Sequence, residues 1–230
     1  MFFNKFLKTF FDFIFPIECV GCGKNGSFLC PGCSAKIKII PVQTCHYCRK
    51  LRAFGKTCDQ CLSKNRLDGL FILGPYDQPI LKDAIHAWKH ERVKEIGNIL
   101  GLWAAKNLNS SLFQSSIIVP IPLHKQRQFD RGFNQSEQLS LILAQKFQIP
   151  AKTLLIKIKD TEPQSSLNRE KRLLNIRGVF APAKDAKLNG ENIILIDDIT
   201  TTGATMEEAA KTLKKSGAKS IFGLALAHGS

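Results

Sequence analysis

The residues best suited to chemistry are LIDDITTTGAT, at 195–205. An apolar run ends at two adjacent carboxylates, Asp197 and Asp198, and hydroxyls and a glycine follow at once. The second half, Thr201, Thr202, Gly203, Ala204 and Thr205, reads as a loop entering a helix. A helix start carries unpaired N–H groups and partial positive charge, which suits an anion. Gly203 allows close backbone approach, and the threonines add neutral donors, so this half is a phosphate cradle. It is not a Walker A loop, because G-x-x-x-x-G-K-[ST] is absent. The aspartates would repel phosphate and need hydroxyls or cations. The vicinal 2′- and 3′-hydroxyls of a ribose meet that need, and carboxylates also favour positive charge developing on a sugar ring. Together the halves describe a ribose 5-phosphate unit. Taken alone, the same residues also fit a plain strand–turn–helix, with Thr205 and Glu208 forming a capping box.

The second constellation is cysteine. Cys19/Cys22, Cys30/Cys33, Cys45/Cys48 and Cys58/Cys61 are all C-x-x-C and span 43 residues. One such pair would be compatible with redox chemistry. Four predict zinc, which takes four soft donors in a tetrahedron at about 2.3 Å. Eight thiolates fill two structural sites. Disulfides would need an oxidising compartment, and no small-residue cleavage site of an export signal follows the N-terminal apolar segment. Sequential pairing gives two stacked ribbons; a cross-braced arrangement is also open. The segment is poor in apolar residues, so zinc supplies much of its folding free energy. GCGKNG (21–26) matches G-x-G-x-x-G but lies in a zinc turn without the strand and helix that a dinucleotide site requires.

These groups need a scaffold. At 230 residues the chain can bury one substantial core and carry a small accessory module. Lys and Arg number 33 against 19 Asp and Glu, a net charge of +14, which favours a polyanionic partner such as nucleic acid, a phosphate-rich substrate or anionic lipid. Between Cys19 and Cys61 there are seven basic residues and one acidic, so the zinc module could touch nucleic-acid phosphates or be purely structural. No apolar run reaches 18 residues, which argues against a membrane span. Phe3, Phe6, Phe10 and Phe13 share helical spacing, so residues 1–18 read as an amphipathic helix, docked on its own domain or set against a membrane surface or partner. The zinc module covers 19–63. Over 64–230 the pattern alternates: strand 67–76, a long helix 79–109 broken near Gly97, strand 117–119, helix 134–147, strand 154–158, a polar loop 160–178, strand 192–196, helix 205–216 and strand 220–227. Such alternation predicts an α/β fold with a parallel sheet flanked by helices. Ligands of open α/β sheets bind beyond the carboxyl ends of the strands. VPIPLHKQRQFDRGFNQ, the 160–178 loop and the 195–205 motif all fall at such ends.

IILIDDITTTGAT resembles the phosphoribosyl pyrophosphate motif of type I phosphoribosyltransferases: a hydrophobic strand, two acidic residues, two variable positions, then T-T/S-G-x-T. With the cysteine pairs, VPIPLHKQRQFDRGFNQS (119–136) and PQSSLNREKRLLNIRGVF (163–180), nearly the whole chain resembles the competence-associated ComF family. That resemblance implies a type I phosphoribosyltransferase-like domain behind a double zinc ribbon. It implies ribose contacts at Asp197 and Asp198, the catalytic candidates, and 5′-phosphate contacts at Thr201, Thr202, Gly203, Ala204 and Thr205. Diphosphate would meet Lys125, Arg127 and Arg131 after the 117–119 strand, and Arg169, Lys171, Arg172 and Arg177 in a mobile hood at 160–178. Mg²⁺ would accompany the diphosphate. The implied ligand is phosphoribosyl pyrophosphate or a related nucleotide. The implied role is cytoplasmic handling of single-stranded DNA during transformation, alongside competence-machinery proteins. A Mg²⁺-dependent phosphoribosyltransferase of unspecified acceptor is the alternative. Tyr47, Phe54, Phe129 and Phe133 are candidate base-stacking platforms. No role is assigned to His86, His90 or His124, and Trp88 and Trp103 are expected to pack a helix face.

Overall fold

A computed structural model describes residues 16–161, 175–184 and 186–229. The 1–18 amphipathic helix and hood residues Arg169, Lys171 and Arg172 therefore lie wholly or largely outside the described residues. Four parallel strands form the central sheet: β1 (Gly69–Pro75), β2 (Ser116–Pro120), β5 (Asn192–Thr200) and β6 (Ser220–His228), in the order β1-β6-β5-β2. Strands covered on both faces need continuous apolar runs, and β2 is buried at all five positions. Helices α1 (Pro79–His90), α2 (Lys94–Asn107) and α4 (Gln135–Phe147) contribute to one core, around Trp88, Leu100, Leu139, Ile194 and Ile196. On the other face α5 (Ala204–Lys215) and the antiparallel pair β3 (Leu155–Lys157) and β4 (Phe180–Pro182) pack around Leu195, Met206 and Ile221. Trp88 and Trp103 are both buried, as expected of a helix face.

Local chemistry sets the boundaries, and in four places it departs from the sequence reading. The helical run breaks at 91–93, where Arg92 adopts φ 62°, and not at Gly97. Gly97 lies inside α2 for contact reasons: a Cβ there would sit 2.4 Å from Trp88 Nε1, whose N–H donates to Gln138 Oε1 at 3.0 Å. Residues 125–131 form a short helix, α3 (Lys125–Arg131), closed by Gly132 in the left-handed region. Residues 180–182, unassigned from sequence, form β4 and pair with β3 across the base of the 160–178 loop. Strand β5 continues to Thr200, so both aspartates are strand residues.

The ribbon segment is bound tightly to the sheet. Leu29, Cys33 and Ile37 enter the core with α1 and α2. Gln43 lies along the exposed edge of β1: its Nε2 donates to Ile72 O at 2.9 Å and its Oε1 accepts the Ile72 N–H at 3.1 Å. A single side chain thus satisfies the free backbone groups of one edge residue.

Candidate functional site

At the carboxyl end of β5, Asp198 is buried and accepts a hydrogen bond from Lys89 Nζ at 2.7 Å, the side chains being 10% and 14% exposed respectively. Lys89 comes from the last turn of α1. Asp197 accepts from Ser136 Oγ at 3.1 Å, at the start of α4, and from the Asp198 backbone N–H at 2.9 Å. Asn134 sets that helix start by accepting the Ser136 N–H at 3.0 Å. Burial, reinforced by the Asp198 charge, pushes the Asp197 carboxyl up to about 7, against the opposing pull of Lys89 and both hydrogen bonds. The site therefore holds an acid poised to titrate near neutrality, with a lysine beside its neighbour. Lys89 carries no sequence signal, and Ser136 stands only at the end of the 119–136 segment, with no role of its own legible there.

Beyond Thr200 the chain turns into the 201–205 loop. Gly203 is the N-cap of α5, at φ 69° and ψ 2°. Thr205 thus lies within the first helical turn and does not cap it. Glu208 accepts the Gly178 N–H at 2.8 Å and pairs with Lys211 at 3.1 Å, so the alternative capping-box reading fails. Gly203 is required twice, by its positive φ and by crowding: a Cβ would lie 2.4 Å from His46 Nε2. His46 sits between Cys45 and Cys48. Its Nε2 lies 2.7 Å from Thr202 O. Next to it, Tyr47 Oη donates to Glu207 Oε2 at 2.5 Å, and Glu207 also accepts the N–H groups of Arg66 at 2.9 Å and Leu67 at 3.1 Å. Glu207 occupies the first turn of α5, where a carboxylate suits the helix dipole. The second ribbon therefore grips the loop and helix start from both its zinc turn and its exit. His46, Tyr47 and Glu207 were not singled out for this from sequence.

The diphosphate candidates divide. Lys125, Arg127 and Arg131 share α3, beyond the carboxyl end of β2, and β2 pairs with β5. Lys125 is exposed. Arg127 hydrogen-bonds the Thr161 carbonyl and lies 3.6 Å from Asp160, tying α3 to the foot of the 160–178 loop. Arg131 donates to Gln135 Oε1 at 3.3 Å. Arg177 is exposed and near Glu208. Lys157 joins this basic group: burial and the neighbouring Arg127 lower its ammonium to about 8. Of the stacking candidates, Phe129 is 82% exposed, Phe133 packs on the core beneath Lys94, and Tyr47 is committed to Glu207.

The cysteines gather as Cys19, Cys22, Cys30 and Cys33, and as Cys45, Cys48, Cys58 and Cys61, which is sequential pairing. Within each group all ligand atoms lie within 4.8 Å of one another. Cys22 and Cys30 Sγ are 3.8 Å apart, and Cys48 and Cys58 Sγ 3.6 Å. A tetrahedron with Zn–S of about 2.3 Å has an edge near 3.8 Å, so the thiols fit zinc as they stand. Burial acts against thiolate at Cys19 and Cys45, yet surrounding backbone N–H groups outweigh it and lower both to about 6, whereas burial at Cys33 and the Cys58 hydrogen bond at Cys61 push those thiols up to about 12, so a bound cation is needed to hold all four sulfurs of a group as thiolates.

Comparison with known proteins agrees with this construction. The phosphoribosyl transferase domain family matches residues 134–228, and the double zinc ribbon domain family matches residues 10–62. The class is an α/β phosphoribosyltransferase-type domain with a double zinc ribbon. Over 238 residues the chain is 32% identical to Competence protein F of Haemophilus influenzae, covering 96% of this chain and 100% of that protein. It is 32% identical over 202 residues to Competence protein ComFC of Bacillus subtilis, covering 82% and 79%. With DNA utilization protein YhgH of Escherichia coli it shares 26% over 212 residues, covering 88% and 85%. The chain belongs to the ComF family of competence-associated proteins. Among the described residues no helix is long and apolar enough to cross a membrane.

Proposed function

We propose that this protein binds phosphoribosyl pyrophosphate with Mg²⁺ at the end of β5 and acts in cytoplasmic handling of single-stranded DNA during transformation. One observation carries the ligand: an acidic pair, Asp198 buried and Asp197 half-buried, runs directly into a loop whose Gly203 opens α5. Asp197 and Asp198 bind the ribose hydroxyls, and residues 201–205 hold the 5′-phosphate at the positive end of α5. Lys125, Arg127 and Arg131 receive the diphosphate, joined by Arg169, Arg172 and Arg177 of the hood. Mg²⁺ is held mainly by diphosphate oxygens and water, with the carboxylates available as hard oxygen donors. If transfer to an acceptor occurs, the carboxylates stabilise the positive charge that develops on the ribose as diphosphate leaves. The DNA role rests on the relatives named for competence and DNA utilisation, and on the +14 net charge.

Calorimetry with phosphoribosyl pyrophosphate and Mg²⁺ tests the ligand. Binding should be lost in the Asp197→Asn, Asp198→Asn double variant. No binding to the zinc-loaded wild type, or equal binding to the variant, sinks the reading. DNA binding should weaken steeply with salt as phosphate contacts release counterions, and weak, salt-indifferent affinity contradicts the DNA role.

A further inference from the structure

A cavity of about 310 Å³ lies against the carboxyl ends of β1 and β6, where Pro75 and His228 are register partners. By strand order it is on the far side of the 201–205 loop from the α3 cations. Leu70, Ile72 and Val42 give it apolar walls, and the second zinc turn contributes His46 and Arg49. His228 connects it to the loop, since its ring hydrogen-bonds the Thr201 backbone. Its Nε2 is buried and has no hydrogen-bond partner among the described residues. Burial, with Arg49 nearby, holds the imidazole below its ordinary value, so the ring is neutral near pH 7. A neutral ring with one nitrogen bonded to backbone offers the other for a ligand. An unpaired buried nitrogen is uncommon enough to require an explanation.

Apolar walls, the His228 ring nitrogen, polar side chains at Thr44 and Asp77 and an arginine able to stack on a π-face select a planar nitrogen heterocycle that carries its own donors and acceptors. The volume is at the small end of ligand pockets, about 300–1,000 Å³, and suits one ring system. We propose that this cavity, walled on one side by the second zinc ribbon, takes a nucleobase, with His228 Nε2 meeting a ring N–H. The base is either free or the unstacked base of a single strand. Its meaning as an acceptor seat beside the sugar rests on the donor reading above, but its occupancy is measurable without it.

The test uses the full zinc-loaded chain and adenine, uracil and a short oligothymidylate as probes, by ligand-observed NMR and calorimetry. Val42 is 57% exposed, so Val42→Trp should fold and fill the cavity mouth. Base binding should fall in that variant while phosphoribosyl pyrophosphate binding is unchanged. His228→Phe keeps a ring but removes the nitrogen and should weaken base binding by about tenfold or more. Zinc content and unfolding midpoint verify both folds. A free base bound and lost in Val42→Trp identifies a small-molecule seat. An oligonucleotide alone behaving so identifies a strand base. Binding by no probe, or equal binding in wild type and Val42→Trp, overturns the proposal. Base binding without donor binding keeps this proposal and removes the donor reading.

Discussion

Replacing Asp197 by asparagine should make the ligand-free protein more stable while disabling the proposed ligand site. The Asp197 carboxyl rises from an ordinary 3.8 to about 7, chiefly through burial and the adjacent Asp198 charge. Between those values the folded chain holds a proton that the unfolded chain releases. The group's contribution to stability is therefore full below about pH 4 and is lost as pH climbs through about 7. At about 1.36 kcal/mol per pKa unit, the whole interval is roughly 4 kcal/mol. Asp197 keeps partial exposure, and solvent screening brings the expected loss to about 2–3 kcal/mol. Asparagine retains an oxygen for Ser136 Oγ and for the Asp198 N–H but does not ionise. Urea unfolding at fixed saturating zinc, for both proteins at pH 5 and pH 8, isolates the effect because other titrating groups cancel in the difference. The variant should gain on wild type by about 1–2 kcal/mol between the two pH values, because only about two-thirds of that interval lies above pH 5. A difference that does not change with pH, or a variant less stable than wild type at pH 8, refutes the argument. Strain held at the proposed binding site and released by a disabling substitution is the expected trade between stability and function.

Three further outcomes follow from the same geometry. Gly203→Ala imposes a positive φ on a residue with a Cβ and drives it into His46, so it should destabilise by about 1–3 kcal/mol in thermal unfolding; adding His46→Ala should recover the steric share only. Cys22→Ser and Cys48→Ser should each reduce bound zinc, but only Cys48→Ser, in the ribbon that grips the loop, should also weaken phosphoribosyl pyrophosphate binding, by about tenfold; equal effects in calorimetry would remove the special role of the second ribbon. Lys89→Met leaves the buried Asp198 charge unpaired and should lower stability by about 3–5 kcal/mol; an unchanged urea midpoint would contradict the ion pair.

What the sequence revealed and what it concealed divide by range. The C-x-x-C pairs and the IILIDDITTTGAT run are local patterns whose chemistry is complete within a few residues, and they anticipated two zinc groups and an α/β domain. The apolar run by itself ends β5 at Ile196, where the charged residues begin. Its continuation depends on β6, since Asp197, Ile199 and Thr200 each have register partners there. Glycine's low helix propensity points to a break near Gly97, yet Trp88 needs that glycine for space. Lys89 meets Asp198 across 109 positions, and Tyr47 meets Glu207 across 160. No spacing rule reaches that far. His228 carries no motif at all, and only its packing beside the loop makes it conspicuous.

The two family matches suggest separable modules, but the bond between Gln43 and Ile72 argues that this chain has given up that independence. Residues 1–63 removed to obtain a minimal transferase-like unit would uncover the β1 edge and strip the contacts that hold the 201–205 loop. An exposed edge strand is a template for pairing with other chains. Such a truncation should be recovered as aggregate, and grafting a ribbon from a distant relative should fail unless its edge-facing and loop-facing side chains move with it. Evolution of this architecture is therefore expected to proceed by paired change across the seam more than by exchange of parts.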